Sequence, residues 1–242
     1  MSFFQNFPLQ RYKFGSETED TLIQNLSAYV DIVDNIKNNI SFYNKIVLRD
    51  GTRPDQLSQQ LYGTPNYYWT FYLMNDHVRK FGWPLSMRAL ETFAKKKYPN
   101  TTLVIREYFY DKFSVGQTIR GQTSNVSGVI LNMNSDLGQI TVKKTGSSNF
   151  QASETIELAS DTTKTVVLNS FSDEYNAARF YRSGTEQVDI DPTAAPGASL
   201  TKMTHLNYYT ERNTNNSLLR VIKPSSVTSV VSQYGSSLRS TA

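Results

Sequence analysis

Between Arg53 and Asn75 the chain is punctuated so tightly that its helices have few places to start or stop. Pro54 has a fixed φ and no amide proton, which suits the first turn of a helix and not its interior. Thr52 or Arg53 precedes it as a cap, and Asp55 adds negative charge to the first turn. Leu57 and Leu61 then share a face, and Gly63 supplies a left-handed stop. Thr64 and Pro65 repeat the start signal at once. The second helix carries Tyr68, Trp69, Tyr72 and Leu73 until Asn75-Asp76 ends it. Gly82-Trp83-Pro84 reads as a turn. Ser86 then caps a third helix with Met87, Leu90, Phe93 and Ala94 inward, closed by Pro99.

The flanks are less regular. Phe3, Phe4, Phe7, Tyr12 and Phe14 fit neither amphipathic period, and Pro8 and Gly15 break the stretch further, so residues 1–18 read as an arm that docks on its own domain or on a neighbour. From Glu19 the steps between Leu22, Leu26, Tyr29, Val30, Val33 and Ile36 predict a helix. A strand is expected over Ser41–Leu48, with Phe42, Ile46 and Leu48 on one face and Tyr43 and Val47 on the other.

After Thr101 the pattern turns to strands. Leu103–Tyr110 reads as one, and residues 113–170 as a small all-β module. The module contains an internal echo: a Phe, a turn and a Thr-Ile strand start recur at Phe113–Ile119 and Phe150–Ile156. Between them, Gly128-Val-Ile-Leu and Gln139-Ile-Thr-Val are expected to pair around a turn from Asn134 to Gly138. Residues 183–199 are linker-like. Leu206–Tyr209 and Leu218–Ile222 are strand or short-helix candidates. Pro224 opens a last helix through Val227, Val230, Val231 and Tyr234, with fraying expected from Gly235.

Composition narrows the function. Fifteen Tyr and 13 Phe in 242 residues tilt the chain toward contact surfaces, because large rings bring much area at little rotamer cost. The net charge of +4 is not gathered into a stripe. Its only run, Lys95-Lys96-Lys97, sits where a helix end favours cations. No nucleic-acid partner is expected, therefore. With no cysteine, a disulfide scaffold and a Cys-ligated zinc site are excluded. No signal peptide and no membrane span are expected. His77 and His205 stand far apart and outside any metal or catalytic spacing, and the common hydrolase and phosphate-cradle motifs are missing. Asp189 with Asp191 reads as Asp-Pro turn chemistry. Glu107 with Asp111 and Asp173 with Glu174 are acid pairs of a kind common by chance. The expectation is no enzyme, no cofactor and no metal.

The run from Arg49 to Asp76 resembles a LysM module, on Gly51, Leu57, Leu61, Tyr62, Gly63, Pro65, Trp69, Asn75 and Asp76. A closer resemblance is to the LysM-like baseplate wedge subunit of T-even-like contractile-tailed phages, the gene product 53 type. Arg53-Pro-Asp, Leu61-Tyr-Gly-Thr-Pro, Tyr68-Trp69, Met74-Asn-Asp76, Gly82-Trp83 and the ending Leu219-Arg-Val-Ile-Lys-Pro224 follow its order. A sugar-binding LysM returns to a second strand soon after its second helix, whereas here a further helix follows. The resemblance implies an α+β fold, a LysM-like body with an inserted small barrel-like β domain and extended termini. The expected divisions are an arm over 1–18, the body over 19–112, the insert over 113–170, a linker-like segment over 171–204 and a returning strand and helix over 205–242.

The same resemblance implies a structural subunit of the virion tail baseplate, assembled in the host cytoplasm. It would dock on other wedge subunits and the sheath-initiating subunit and help join wedges around the hub. Interface candidates are Phe3, Phe4, Phe7, Tyr12, Phe14, Tyr67, Tyr68, Tyr208, Tyr209 and Arg220. The alternative is a carbohydrate-binding LysM protein that recognises peptidoglycan or chitin by stacking Tyr67, Tyr68 and Trp69 on sugar.

Overall fold

A computed structural model describes residues 7–16, 18–25 and 39–240 of the chain. It is a mixed helix-and-strand protein. In chain order the elements are β1 (Leu9–Tyr12), β2 (Thr21–Gln24), β3 (Tyr43–Val47), α1 (Pro54–Tyr62), α2 (Trp69–Met74), α3 (Asp76–Phe81) and α4 (Met87–Lys97). Six strands follow: β4 (Thr101–Ile105), β5 (Thr118–Gly121), β6 (Ser127–Asn134), β7 (Gln139–Thr145), β8 (Thr155–Leu158) and β9 (Asp161–Asp173). The chain ends with β10 (Ala178–Ser183), β11 (Glu186–Val188), β12 (Thr201–Thr204), α5 (His205–Asn216), β13 (Leu218–Ile222) and α6 (Pro224–Ser240). Two compact units result, one from residues 88–212 and one from the parts before and after it.

The punctuation around α1 works as its residues dictate. Arg53 is the cap residue, the Gln56 side chain accepts from its N–H at 3.2 Å, and Gly63 closes the helix at φ 72°. Thr64 accepts from Asn66 N and starts a short 3₁₀ turn, Pro65–Tyr67, before α2. The third helix, α4, begins where expected but turns differently: Leu90 and Ala94 are buried, while Met87 is 52% and Phe93 40% exposed. Asp50 accepts from Met87 N at 3.0 Å and so holds the first turn of α4. The helix α3 between Asn75 and Gly82 has too little amphipathic length to show in the sequence.

In the first unit β3 and β13 form a two-stranded antiparallel sheet, with Leu219 opposite Ile46 and Arg220 opposite Lys45. The pleat sends alternate residues to opposite faces. Ile46, Leu219 and Val221 pack with Leu48, Leu57, Phe71 and Val78. Tyr43 and Ile222 pack on the other side with Met74, Val227 and Val230. Each such side chain, fully buried, is worth about 1.5–3 kcal/mol. The helix α6 runs past Gly235 to Ser240, where fraying was expected. The expected helix from Glu19 is replaced at Thr21–Gln24 by β2, where Leu22 is exposed and opposite Arg11 of β1. The rest of that stripe, Leu26 to Ile36, lies outside the described residues, as do Phe3 and Phe4.

In the second unit β4, β7, β6, β5, β8 and β9 close into a barrel. Closure leaves no open strand edge. The first strand stops at Ile105 rather than continuing to Tyr110, because the chain leaves β9 there for a turn that buries Phe109. The expected β6–β7 hairpin is present, with Asn134 opposite Gln139. At its turn Gly138 has φ 61°, and a Cβ there would lie 2.5 Å from the Ile105 carbonyl oxygen. The sequence echo is a structural repeat. Phe113 and Phe150 are both buried, Gly116 and Ser153 both take positive φ, and Ile119 and Ile156 are both fully buried. The two strand starts pair antiparallel about Arg120 and Glu157. Matched hydrogen bonds flank that pair, from Ala159 N to Thr118 O and from Gln122 N to Thr155 O, each 2.9 Å. Arg120 and Glu157 form an ion pair at 3.3 Å on this local two-fold.

The stretch read as linker-like is partly strand. Gly184, at φ 60°, turns β10 into β11, and β12 pairs along the other side of β10. The Leu206–Tyr209 candidate is resolved as helix, within α5.

Replacing Gly138 by Ala forces both the backbone and the Ile105 carbonyl to shift. The expected loss is more than about 1 kcal/mol in denaturant unfolding, with far-UV circular dichroism still native in buffer.

Candidate protein-interaction surfaces

The motif residues of the α1–α2 pair converge on one strand edge. In the β3–β13 ladder Leu219 and Val221 bond toward β3, so the amide groups of Arg220 and Ile222 point the other way. Asn75, only 2% exposed, meets them with its carboxamide. Its Nδ2 donates to Arg220 O and its Oδ1 accepts from Arg220 N, both at 2.8 Å, and Nδ2 also donates to Phe71 O at 2.8 Å. The Tyr62 hydroxyl donates to Ile222 O at 3.0 Å. Two side chains thus act as a surrogate strand. Burial pushes the Tyr62 phenol up to about 12, against the milder lowering from its hydrogen bonds. A second carboxamide repeats the device. Asn213 accepts from Leu85 N at 2.8 Å and donates to Leu85 O at 2.9 Å. Trp83 completes the turn by donating from Nε1 to Thr52 O at 2.8 Å.

Trp69 is 6% exposed and packs on Tyr234 at 5.3 Å between ring centroids. It is a core residue and offers no face to a sugar. Tyr67 is half-buried against Tyr62, and Tyr68 stays exposed.

Besides Phe42, Val47, Tyr68 and Leu218, the exposed apolar side chains of this unit form two groups. The β1–β2 ribbon shows Leu9, Leu22, Tyr12 and Phe14 to solvent, with Tyr12 and Phe14 edge to face at 4.8 Å, whereas Phe7 is buried. Two strands alone are marginal in water, so such a ribbon depends on what it lies against. Phe81, Leu85 and Met87 are also exposed around the turn of the half-buried Trp83. The sequence gives no period for this second group, since a turn has none.

In the barrel-bearing unit Tyr208 and Tyr209 sit in a cation–aromatic cluster. Lys97 Nζ donates to Tyr209 Oη at 2.6 Å, and the Arg179 guanidinium lies 4.2 Å over Tyr208. His205 stacks on Tyr98 at 4.1 Å, and burial, helped by Arg179, lowers its pKa. Burial also pushes Tyr98 up to about 12.

Three of the carboxylates weighed as acid pairs have partners, Asp173 accepting from the Tyr175 hydroxyl at 3.0 Å. Glu107 accepts from Val167 N and pairs with Lys112, while Glu174 accepts from Asn100 N and Nδ2. Asp191 accepts from Thr193 N and Oγ1, the turn chemistry read from sequence; these bonds hold its carboxyl below the usual range. Among the described residues no His, Asp or Glu cluster could hold a metal, and no helix is long and apolar enough to cross a membrane.

Residues 17–103 match the family model of base plate wedge protein 53. The match spans β3, the α1–α2 pair, the Trp83 turn and α4. Its function is that of a structural baseplate wedge subunit, in the tail of the phage virion, and the family is structural rather than enzymatic. No curated protein matches the chain.

Trp69→Ala is expected to lower stability by about 3–5 kcal/mol in urea unfolding, the cost of emptying a large core site. The raised phenols give a second test. Below pH 10 Tyr62 is protonated in both folded and unfolded chains. As pH rises through 10 to about 12 the unfolded chain ionises first, so stability falls across that window. An absorbance titration of Tyr62→Phe should lose one of the late-ionising tyrosines.

Proposed function

We propose that the chain docks on wedge backbone subunits and on the subunit that starts sheath assembly, helping to join wedges around the tail hub of a T-even-like phage. The observation that carries this reading is the base plate wedge protein 53 match, because it covers the α1–α2 pair and the turns that shape it. The mechanism is stoichiometric binding, with no chemical step. Support for a LysM-like body comes from the order strand, helix, helix, strand, with β3 and β13 paired and the second strand supplied from the far end of the chain. A sugar groove has no such support, since Trp69 is buried against Tyr234.

In this reading the β1–β2 ribbon and its exposed Tyr12 and Phe14 reach a neighbouring subunit, where aromatic burial supplies the contact energy. Tyr68 and the Phe81, Leu85 and Met87 group add further contact area on the body.

Removal of residues 1–25 leaves every residue of both described core clusters of this unit in place, since these begin at Tyr43. The shortened protein should still fold, with its unfolding midpoint lowered only by the loss of the buried Phe7. Its incorporation into baseplates, measured by co-sedimentation with purified wedges, should fall by about tenfold or more. Full incorporation would rule out the ribbon as a contact, and absence of the intact protein from purified baseplates would reject the wedge reading itself.

A further inference from the structure

The two edges of the β3–β13 sheet differ. On the β13 side Asn75 and Tyr62 meet the outward peptide groups, and a cavity of about 390 Å³, lined by Lys45 and His77 among others, lies beside them. The β3 side has no such seal. Leu48 N donates to Ser217 O and Lys223 N to Phe42 O, so by alternation Asn44 and Ile46 bond toward β13. Tyr43, Lys45 and Val47 therefore turn their peptide groups outward, where they have no hydrogen-bond partner among the described residues. Val47 and its cross-strand partner Leu218 are 71% and 53% exposed.

The β1–β2 ribbon has an open edge of its own. Asn25 N donates to Pro8 O, so Thr21 and Ile23 bond toward β1 while Leu22 and Gln24 turn their peptide groups outward. Leu22 is 61% exposed, and Asp20 just before it in the chain is exposed too. Within one chain the ribbon and β3 lie in separate sheets. Being tethered together would favour their pairing if the geometry allowed it, so their separation leaves both edges open to another copy.

We propose that β2 of one copy adds antiparallel to the open edge of β3 in a second copy, making a four-stranded sheet β1–β2–β3–β13 across the contact. This inference deepens the reading of the ribbon as a subunit contact and rests on it. Side chains set the register. With Leu22 opposite Val47, Ile23 comes opposite Ile46, Gln24 opposite Lys45 and Asp20 opposite the exposed Arg49. Leu22 then extends the apolar row of Val47 and Leu218, and Asp20 meets a cation. Roughly four main-chain hydrogen bonds form, two each at Val47 and Lys45. A slide of two residues sets Leu22 against Lys45 and Asp20 against Val47, and a slide of four leaves only Thr21 and Leu22 of β2 opposite β3. The outer edge of β1 fits less well, because Leu9 opposite Val47 sets Arg11 against Lys45, and like charges directly opposite repel. Each copy has one ribbon and one open β3 edge, so the contact is head-to-tail and closes by rotation, as in a ring.

The chain has no cysteine, so single cysteines report the contact directly. A mixture of full-length Leu22→Cys and Val47→Cys proteins, oxidised at high concentration, should give a disulfide-linked dimer, since such facing residues stand about 5.5 Å apart. The yield should exceed that of either protein alone by about tenfold or more. Lys45→Pro in the Val47→Cys protein removes an outward N–H and no bond to β13, a change that edge strands tolerate. It should cut the yield about tenfold while the unfolding midpoint stays near the parent's. Arg49→Glu in the same protein should cut the yield about threefold, and Asp20→Lys in the other copy should restore it. Equal yields from mixed and single proteins, or indifference to Lys45→Pro, would overturn the proposal. So would an intrachain bond in a dilute protein carrying both cysteines, which would place the pairing within one chain. Dimers formed by a protein absent from purified baseplates would uphold the strand addition and reject the baseplate reading; baseplates that hold both variants without the cross-link would do the reverse.

Discussion

The first unit depends on the outer edge of β13 being filled. A two-stranded sheet has two edges and little area, and it persists only if its peptide groups are met on both sides. On the β13 side the work is done by one amide and one phenol, Asn75 and Tyr62, rather than by a third strand. An asparagine suits this place because its side chain presents one acceptor and one donor in the geometry of a peptide group. A leucine, branched at the same carbon but apolar, would leave both Arg220 groups without partners beside a core whose members, Phe71, Leu219 and Val221, are almost fully buried.

The same device explains how the body survives a long interruption. Asn75 and Arg220 are 145 positions apart, and Leu85 and Asn213 are 128 apart. The two carboxamide pairs tie the early half of the body to the late half. Loop-closure entropy grows only with the logarithm of length, so a longer intervening segment costs little once these ties and the β3–β13 ladder are formed. The segment between them brings its own closed barrel, whose core of Leu103, Ile119, Ile140 and Ile156 needs nothing from the body.

What could be read in advance follows from how local the controlling interaction is. Pro54, Gly63 and Thr64 act within a few residues, and α1 and the following 3₁₀ turn begin and end where they dictate. The echo of Phe113 and Phe150 was legible because each copy must fill the same place in one core. Leu22, by contrast, fits a helical stripe, yet Thr21–Gln24 pairs with β1, and pairing is a non-local choice that periodicity does not record. Met87 and Phe93 fit an inward stripe as well, but the face that α4 buries is fixed by Leu90 and Ala94. The exposed surfaces were the least legible. Tyr12, Phe14 and Tyr68 stand out by type, whereas the cavity at Lys45 and His77 exists only because β13 returns from the far end of the chain.

The sealed position of Asn75 also bears on how the protein ages. A virion cannot renew its subunits, and asparagine is among the residues most prone to chemical decay. Spontaneous loss of ammonia requires the following backbone nitrogen, here that of Asp76, to swing onto the side-chain carbon. Three hydrogen bonds of 2.8 Å hold that carboxamide in place, away from solvent, so the residue on which the edge of β13 depends is also shielded from slow hydrolysis. Exposed asparagines such as Asn66 and Asn215 have no comparable restraint on the side chain, and in a stored particle they would be converted first.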